Sequence, residues 1–267
     1  MRLTIFITGP GGAVKASAQG EGEVTLVYCA PYEEGDMIRM SSSHPGFVSA
    51  QLEDSMAQTF GYLEGEFTLA VPFGEKRVSY SPKSFTGPIH LLSARAATPD
   101  EIAVRRNLCL NPLDSHDNSG LFPHASANVE TRGESVFAGR NAIDGHYANT
   151  GHGPWPYQSW GINRNPDAEL IIDFGRAVTV DTMVFTLRAD FPHDNWWTRA
   201  TVTFSDGSNF TPEFIKTGAP QPFPIAPRTV TWFSLGGLLK DEGDSSPFPA
   251  LTQIEAWGTE YHKKGDL

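Results

Sequence analysis

The chain has 267 residues, 31 acidic and 20 basic side chains, and a formal charge of −11. That length allows one large or two ordinary domains, and an acid excess with no cluster of bases argues against a nucleic-acid partner. Val, Ile, Thr, Phe, Tyr and Trp fall in short runs separated by 26 Gly and 20 Pro, and no segment sustains a 3.6-residue apolar period, so an all-β protein is expected.

The first nine residues carry one base and a short apolar run. The run is shorter than a signal-peptide core and far below the ~20 residues of a membrane span, so a cytoplasmic chain with no membrane span is expected. Gly9-Pro10-Gly11-Gly12 lacks the spacing and the following helix of a nucleotide loop and reads as a turn. Strands are predicted over 3–8, 23–29, 37–40, 66–71 and 89–94, which make an N-terminal β-sandwich domain. The acids Glu33, Glu34 and Asp36 read as a solvated turn. Cys29 and Cys109 lack metal or disulfide spacing and are expected as buried free thiols. Segments 71–77 and 80–87 are expected to pack against the second half. Thr98-Pro99-Asp100-Glu101 offers a helix start, with Pro99 in the first turn and acids at the positive end of the dipole. The polar, turn-rich stretch 111–120 reads as a linker, dividing the chain into domains 1–115 and 116–267.

Beyond it, strands are predicted over 169–174, 179–187, 198–205, 229–235 and 251–257, mostly alternating apolar and polar residues. Five to eight strands at this spacing make a sandwich or jelly roll. The half opens on Asn141-Ala142-Ile143-Asp144-Gly145, passes three close aromatics, Trp155, Tyr157 and Trp160, and closes on Ile254-Glu255-Ala256-Trp257-Gly258. These landmarks, in this order, resemble the discoidin, or coagulation factor 5/8 type C, domains, which are galactose-binding-like jelly rolls.

That resemblance implies glycan recognition and a structural calcium ion wrapped by the 141–150 loop. By the family's spacing, Asn141 and His146 give carbonyl oxygens and Asp144 its carboxylate, with Glu255 and Ala256 as the remote pair. The remaining oxygen comes from Asn149, where the family usually has Thr. Calcium suits such a loop because it accepts six to eight oxygens in flexible geometry. As a plain turn, Asp144-Gly145 needs no metal.

The candidate ligand site is drawn from the loop aromatics Trp155, Tyr157, Trp160, Trp196 and Trp197 with Arg188, Asp190, His193 and Asn195. Rings stack on the apolar face of a sugar, and the polar groups bond its hydroxyls. One of Trp196 and Trp197 is expected in the core, because neighbours in extended chain face opposite ways, and so is Trp257. The leading expectation is a non-catalytic carbohydrate-binding protein whose ligand is a carbohydrate or other small polar molecule. The alternatives are a carbohydrate-active enzyme using His146, His152, Arg188, Asp190, His193 and Asp194, or a protein-interaction module presenting the same rings. No G-x-S-x-G, H-E-x-x-H or phosphate-loop motif supports a specific chemistry.

Overall fold

The structure, a computed structural model, describes residues 1–189 and 195–261. Its first half holds eight strands: β1 (Arg2–Thr8), β2 (Val14–Glu21), β3 (Glu23–Tyr28), β4 (Met37–Ser42), β5 (Gly46–Gln51), β6 (Thr59–Leu63), β7 (Glu66–Ala70) and β8 (His90–Ala96). One sheet runs β2-β1-β4-β7 and the other β6-β5-β8-β3. Alternation explains how they stack: Leu3, Ile5 and Ile7 of β1, with Ile38 and Met40 of β4, meet Val24 and Leu26 of β3 and Leu92 of β8 in one buried cluster. A two-sheet sandwich results. The helix α1 (Pro99–Ala103) follows, with the capping box of Thr98 and Glu101 in place.

Two expectations in this half are corrected. Asp36 is fully buried, not solvated; it pairs with Lys15 at 2.7 Å and accepts from the Glu33 backbone N–H at 2.9 Å, so a paired acid closes the turn. Cys29 is exposed, since it lies just past the end of β3, whereas Cys109 is buried and burial raises its thiol pKa.

The second half contains β9 (Arg106–Asn107), β10 (Leu121–Phe122), β11 (His124–Ala127), β12 (Trp160–Gly161), β13 (Leu170–Leu187), β14 (Trp197–Phe204), β15 (Asn209–Phe210), β16 (Gln221–Lys240) and β17 (Ala250–Glu260). The main sheet runs β12-β17-β13-β16-β14-β15, with β11 on β13 and β9 on β17. The long strands β13 and β16 slip register between Asp173 and Val178 and again between Val180 and Thr182. Unpaired residues bend a strand and increase its twist, so this sheet curls around a core of Leu170, Ile172, Phe174, Phe185, Trp197 and Phe233. Gly175, at φ 66°, occupies the first slip; a Cβ there would lie 2.4 Å from the Phe122 ring.

Between the two cores the chain crosses twice. Residues Arg106 and Asn107 pair with β17 and Cys109 enters the second core, then Leu113 and Leu121 return to the first core and β10 pairs with β6. Segment 111–120 is therefore no exposed linker. Asn111, Asp114 and Asn118 are buried, and Asp114 accepts from Asn118 Nδ2 at 2.7 Å and the Ala125 N–H at 2.8 Å. Its polar residues satisfy the backbone of a buried crossing.

The 71–87 region packs against the second half, as its charges and rings suggest. Glu75 accepts from the Ser135 N–H at 2.6 Å, the Val78 carbonyl from the Trp155 N–H at 2.9 Å, and Arg140 lies 4.2 Å from the Tyr80 ring centroid. A second junction is formed by Glu260, which takes Arg106 and Arg176 together while Arg106 lies over Phe60 and Arg176 over Phe47. No helix among the described residues is long and apolar enough to cross a membrane.

Candidate functional site

The loop around Asp144 follows a 3-10 turn (Gly139–Ile143) packed on β17. Asp144 is buried, and both carboxylate oxygens are occupied: Oδ1 accepts from Gln253 Nε2 at 2.8 Å and the His146 N–H at 2.9 Å, and Oδ2 from Gln158 Nε2 at 2.8 Å. Gln253 Nε2 also donates to the Asn141 carbonyl at 2.7 Å, while its Oε1 takes the Gly145 N–H at 3.0 Å. An amide thus sits where the sequence places a cation, joining the carbonyl of Asn141 to the carboxylate of Asp144.

The other expected ligands are engaged in the same way. Glu255 accepts from Tyr147 Oη at 2.9 Å and Trp257 Nε1 at 2.6 Å; burial and then this carboxylate push the Tyr147 pKa up. The Ala256 carbonyl accepts from the Leu108 N–H at 2.7 Å. Asn149 turns its amide nitrogen, a donor, onto the carbonyls of Leu187 and Gly218. His146 Nε2 accepts from Trp155 Nε1 at 3.2 Å. As arranged here the set does not fit calcium, because N–H and O–H donors meet the Asn141 and Ala256 carbonyls and the Asp144 and Glu255 carboxylates, and Asn149 presents its amide nitrogen to other carbonyls. Among the described residues no group of three or more His, Cys, Asp or Glu side chains is placed for a metal.

Most of the expected ligand-binding rings are structural. Trp160 and Trp197 are buried 6.2 Å apart in the second core, and Trp160 Nε1 donates to the Val129 carbonyl. Trp196 packs partly buried against that core. Asn195 is buried, its Nδ2 holding the carbonyls of Asp241, Asp244 and Ser246, which pins the loop before β17. Trp155 lines the crevice between the halves with Tyr80 and Arg140, and Tyr157 is half-buried in the adjoining turn. Large rings lost to burial in this way follow from the 150–250 Å² each can remove from water. Trp257, expected in the core, is instead half-buried under Arg105. Asp190 and His193 lie outside the described residues.

Arg188 alone among the described members of that set lines a cleft of mixed aromatic and cationic character. It follows β13 directly, its N–H bonded to the Ala250 carbonyl at 3.1 Å, so the ends of β12, β13 and β17 meet there. The cleft has a volume of about 130 Å³. Phe137 forms its floor, with the guanidinium carbons of Arg132 and Arg188 5.5 and 6.0 Å from the ring centroid. Phe248 stands 41 % exposed at the rim, 4.6 Å from the Arg164 guanidinium. Thr131, His152 and Asn163 complete the polar lining. Gly161 lets the walls close, because a Cβ there would lie 2.7 Å from Thr131 Oγ1 and 3.1 Å from Phe137.

The backbone singles out the same place. Four non-glycine residues among those described have left-handed φ, and three of them, Arg132 (55°), Asn163 (49°) and Arg164 (59°), line this cleft. Such conformations are uncommon for non-glycine residues and gather at ligand sites, where the surrounding structure holds them. Arg132 is paired bidentately with Glu134 at 2.6 and 2.7 Å and holds that carboxyl below its usual pKa. Arg188 is 4 % exposed. Arg164 has no hydrogen bond or ion pair with any described residue.

Sequence reasoning reached Arg188, and His152 within the enzyme alternative, but not Arg132, Phe137, Asn163, Arg164 or Phe248. These sit in short segments far apart in the chain. The one available signal was the late Phe248 between Pro247 and Pro249.

No protein-family model matches the chain, and no curated protein matches it by sequence. Solved structures with partial likeness include chitosan-binding module 1 of a chitosanase/glucanase from Paenibacillus sp. IK-5, at 16% identity and TM-score 0.40, covering 57% of this chain and 99% of that one. The family 32 carbohydrate-binding module of NanJ from C. perfringens, solved with galactose, shares 15% identity at TM-score 0.38, over 50% of this chain and 91% of that one. The lectin domain of lectinolysin, solved with Lewis B antigen, shares 14% at TM-score 0.43, over 58% of this chain and 97% of that one. Likeness at this level leaves the ligand to be argued from the cleft itself.

Proposed function

We propose that this protein binds carbohydrate, without turning it over, in the cleft bounded by Phe137, Arg164, Arg188 and Phe248. The supporting observation is the cleft's composition: an aromatic floor and an exposed aromatic rim beside several N–H donors, on backbone held in left-handed conformation at three positions. Rings give a pyranose its apolar contact, and guanidinium and imidazole groups bond its oxygens. The volume, well below the roughly 300 Å³ at which drug-sized sites begin, suits one sugar residue of a longer chain. Recognition is proposed ahead of hydrolysis, which generally uses two carboxylates flanking the bond, and product analysis separates the two. The discoidin-like order of landmarks in the second half agrees with this reading.

The test is a glycan array with the intact protein, followed by incubation of each hit and product analysis. Phe248→Ala is expected to weaken binding about tenfold or more, as truncation of an anchoring ring does, with the melting temperature unchanged. Binding that survives Phe248→Ala intact would remove this cleft from consideration, and release of product would replace recognition by catalysis.

A further inference from the structure

We propose that the crevice between the two halves is a second binding site, for a small organic acid whose carboxylate is taken by Arg140. This site is separate from the saccharide cleft and does not depend on it. The crevice has a volume of about 350 Å³ and is walled by Pro72, Lys76 and Tyr80 on one side and by Glu130, Ser135 and Arg140 on the other. Small-molecule sites begin at roughly 300 Å³. Arg140 is 7 % exposed, and a guanidinium offers five N–H donors and no acceptor. Its Nη2 donates to Ser79 Oγ at 2.8 Å, and among the described residues Arg140 forms no further hydrogen bond and no ion pair. A buried charge without a partner is costly, and a buried guanidinium is ordinarily met by a carboxylate.

The other junction between the halves shows what Arg140 lacks. There Arg106 lies over Phe60 and Arg176 over Phe47, and both guanidinium groups meet the carboxylate of Glu260. Arg140 repeats the first part of that arrangement, 4.2 Å from the Tyr80 ring centroid, but it faces a crevice and not a carboxylate. The stacked ring holds the guanidinium in place and leaves its N–H edge available. The acids nearby serve other groups: Glu75 accepts from the Ser135 N–H at 2.6 Å, and Glu130 accepts from the Gly139 N–H at 2.7 Å and pairs with His116 at 3.1 Å. Lys76 and Asp117, exposed along the same crevice, are opposite in sign. A neutral hydroxyl or carbonyl would take an N–H and leave the charge unpaired. A carboxylate meets the planar fork through two parallel bonds and balances it.

The experiment is calorimetry on the intact protein with three acids, each against its amide: benzoate, succinate and glucuronate, with inorganic phosphate and sulfate alongside. At least one acid is expected to bind tenfold or more tightly than its amide and than either inorganic anion, with affinity falling as salt rises. Arg140→Met keeps a long side chain on Tyr80 and is expected to lower that affinity at least tenfold. Its melting temperature should hold or rise, because the unpaired charge is gone and Ser79 Oγ keeps its bond to the Lys76 carbonyl at 3.3 Å. Lys76→Glu reverses a charge at an exposed position on the crevice and is expected to cost about threefold in affinity, which tests the site should Arg140→Met not fold. Phe248→Ala, at the saccharide cleft, should leave acid binding intact. Acid and amide binding alike, no acid binding, or an affinity unchanged in Arg140→Met or Lys76→Glu would overturn the proposal. So would loss of acid binding in Phe248→Ala, and a preference for phosphate or sulfate would overturn the assignment to a carboxylate.

Discussion

The loop around Asp144 and the cleft beside Arg188 lie on the same half of the molecule, yet they treat their polar groups in opposite ways. In the loop both expected carboxylates meet protein donors: Asp144 with Gln253 and Gln158, Glu255 with Tyr147 and Trp257. In the cleft, Arg164 is stacked on a ring with its donors unspent, and the backbone beneath it is left-handed. A closed network rigidifies, whereas strain and unspent donors are what a ligand can use. The density of recognisable sequence landmarks is high in the first and low in the second, so it tracks the construction of the fold and not the position of the site.

The largest effect that would test this contrast is loss of the loop's central amide. Gln253→Ala strips a donor from Asn141 O and Asp144 Oδ1, strips an acceptor from the Gly145 N–H, and leaves a void in a residue 2 % exposed. Unmet buried groups and the void together are expected to destabilise by about 3 kcal/mol or more, or roughly 6–12 °C in melting temperature for a chain of this size. Below that transition, saccharide affinity should stay at the wild-type value. A variant that melts normally, or that melts early and also fails to bind when folded, would erase the distinction between the two regions.

The smaller and opposite effect belongs to the cleft. Arg164→Gly removes a side chain from a position at φ 59°. Relief of the left-handed penalty, ~1–2 kcal/mol, outweighs the added freedom of the unfolded chain, ~0.4–1 kcal/mol, so a net gain near 0.5 kcal/mol is expected. Thermal unfolding should then rise slightly while affinity falls. Stability and binding both falling would mean that Arg164 holds the cleft together and is not reserved for a ligand.

Most of the first sandwich was legible because its strands alternate: the predictions over 3–8, 23–29, 37–40 and 66–71 meet β1, β3, β4 and β7 within two residues. The missed strands have ordinary physical reasons. In β2, Ala16, Ser17, Ala18 and Gly20 stand in a half-exposed strand at the sheet edge, where Val14 is the one branched apolar side chain. The prediction over 229–235 falls inside β16, but its first part was missed, since it carries Pro222 and Pro224, through which the ladder passes opposite Val184 and Thr182. The site was hardest, since only the meeting of three strand ends brings Phe137, Arg164, Arg188 and Phe248 together. Residues 20 to 60 apart in sequence carry no local pattern announcing that meeting. Trp160 and Trp197, by contrast, announced a site and went to the core, because burying so large a ring removes much apolar area from water.

The smallest expected effect is that of calcium. With amide nitrogens from Gln253 and Gln158 bonded to Asp144, a cation would have to displace two donors from one carboxylate and turn both amides so that their oxygens face inward. Such a turn is chemically simple for an amide, whose oxygen and nitrogen ends are alike in shape. Here it breaks the bonds from Gln253 Nε2 to Asn141 O and from the Gly145 N–H to Gln253 Oε1 as well. Millimolar calcium, or chelator in its place, is therefore expected to leave the melting temperature and saccharide affinity unchanged. A rise of several degrees with calcium, abolished in Asp144→Ala, would show that the amides do turn. The loop would then be a metal site whose oxygens the two glutamines complete, and the contrast with the cleft would rest on the arginines alone.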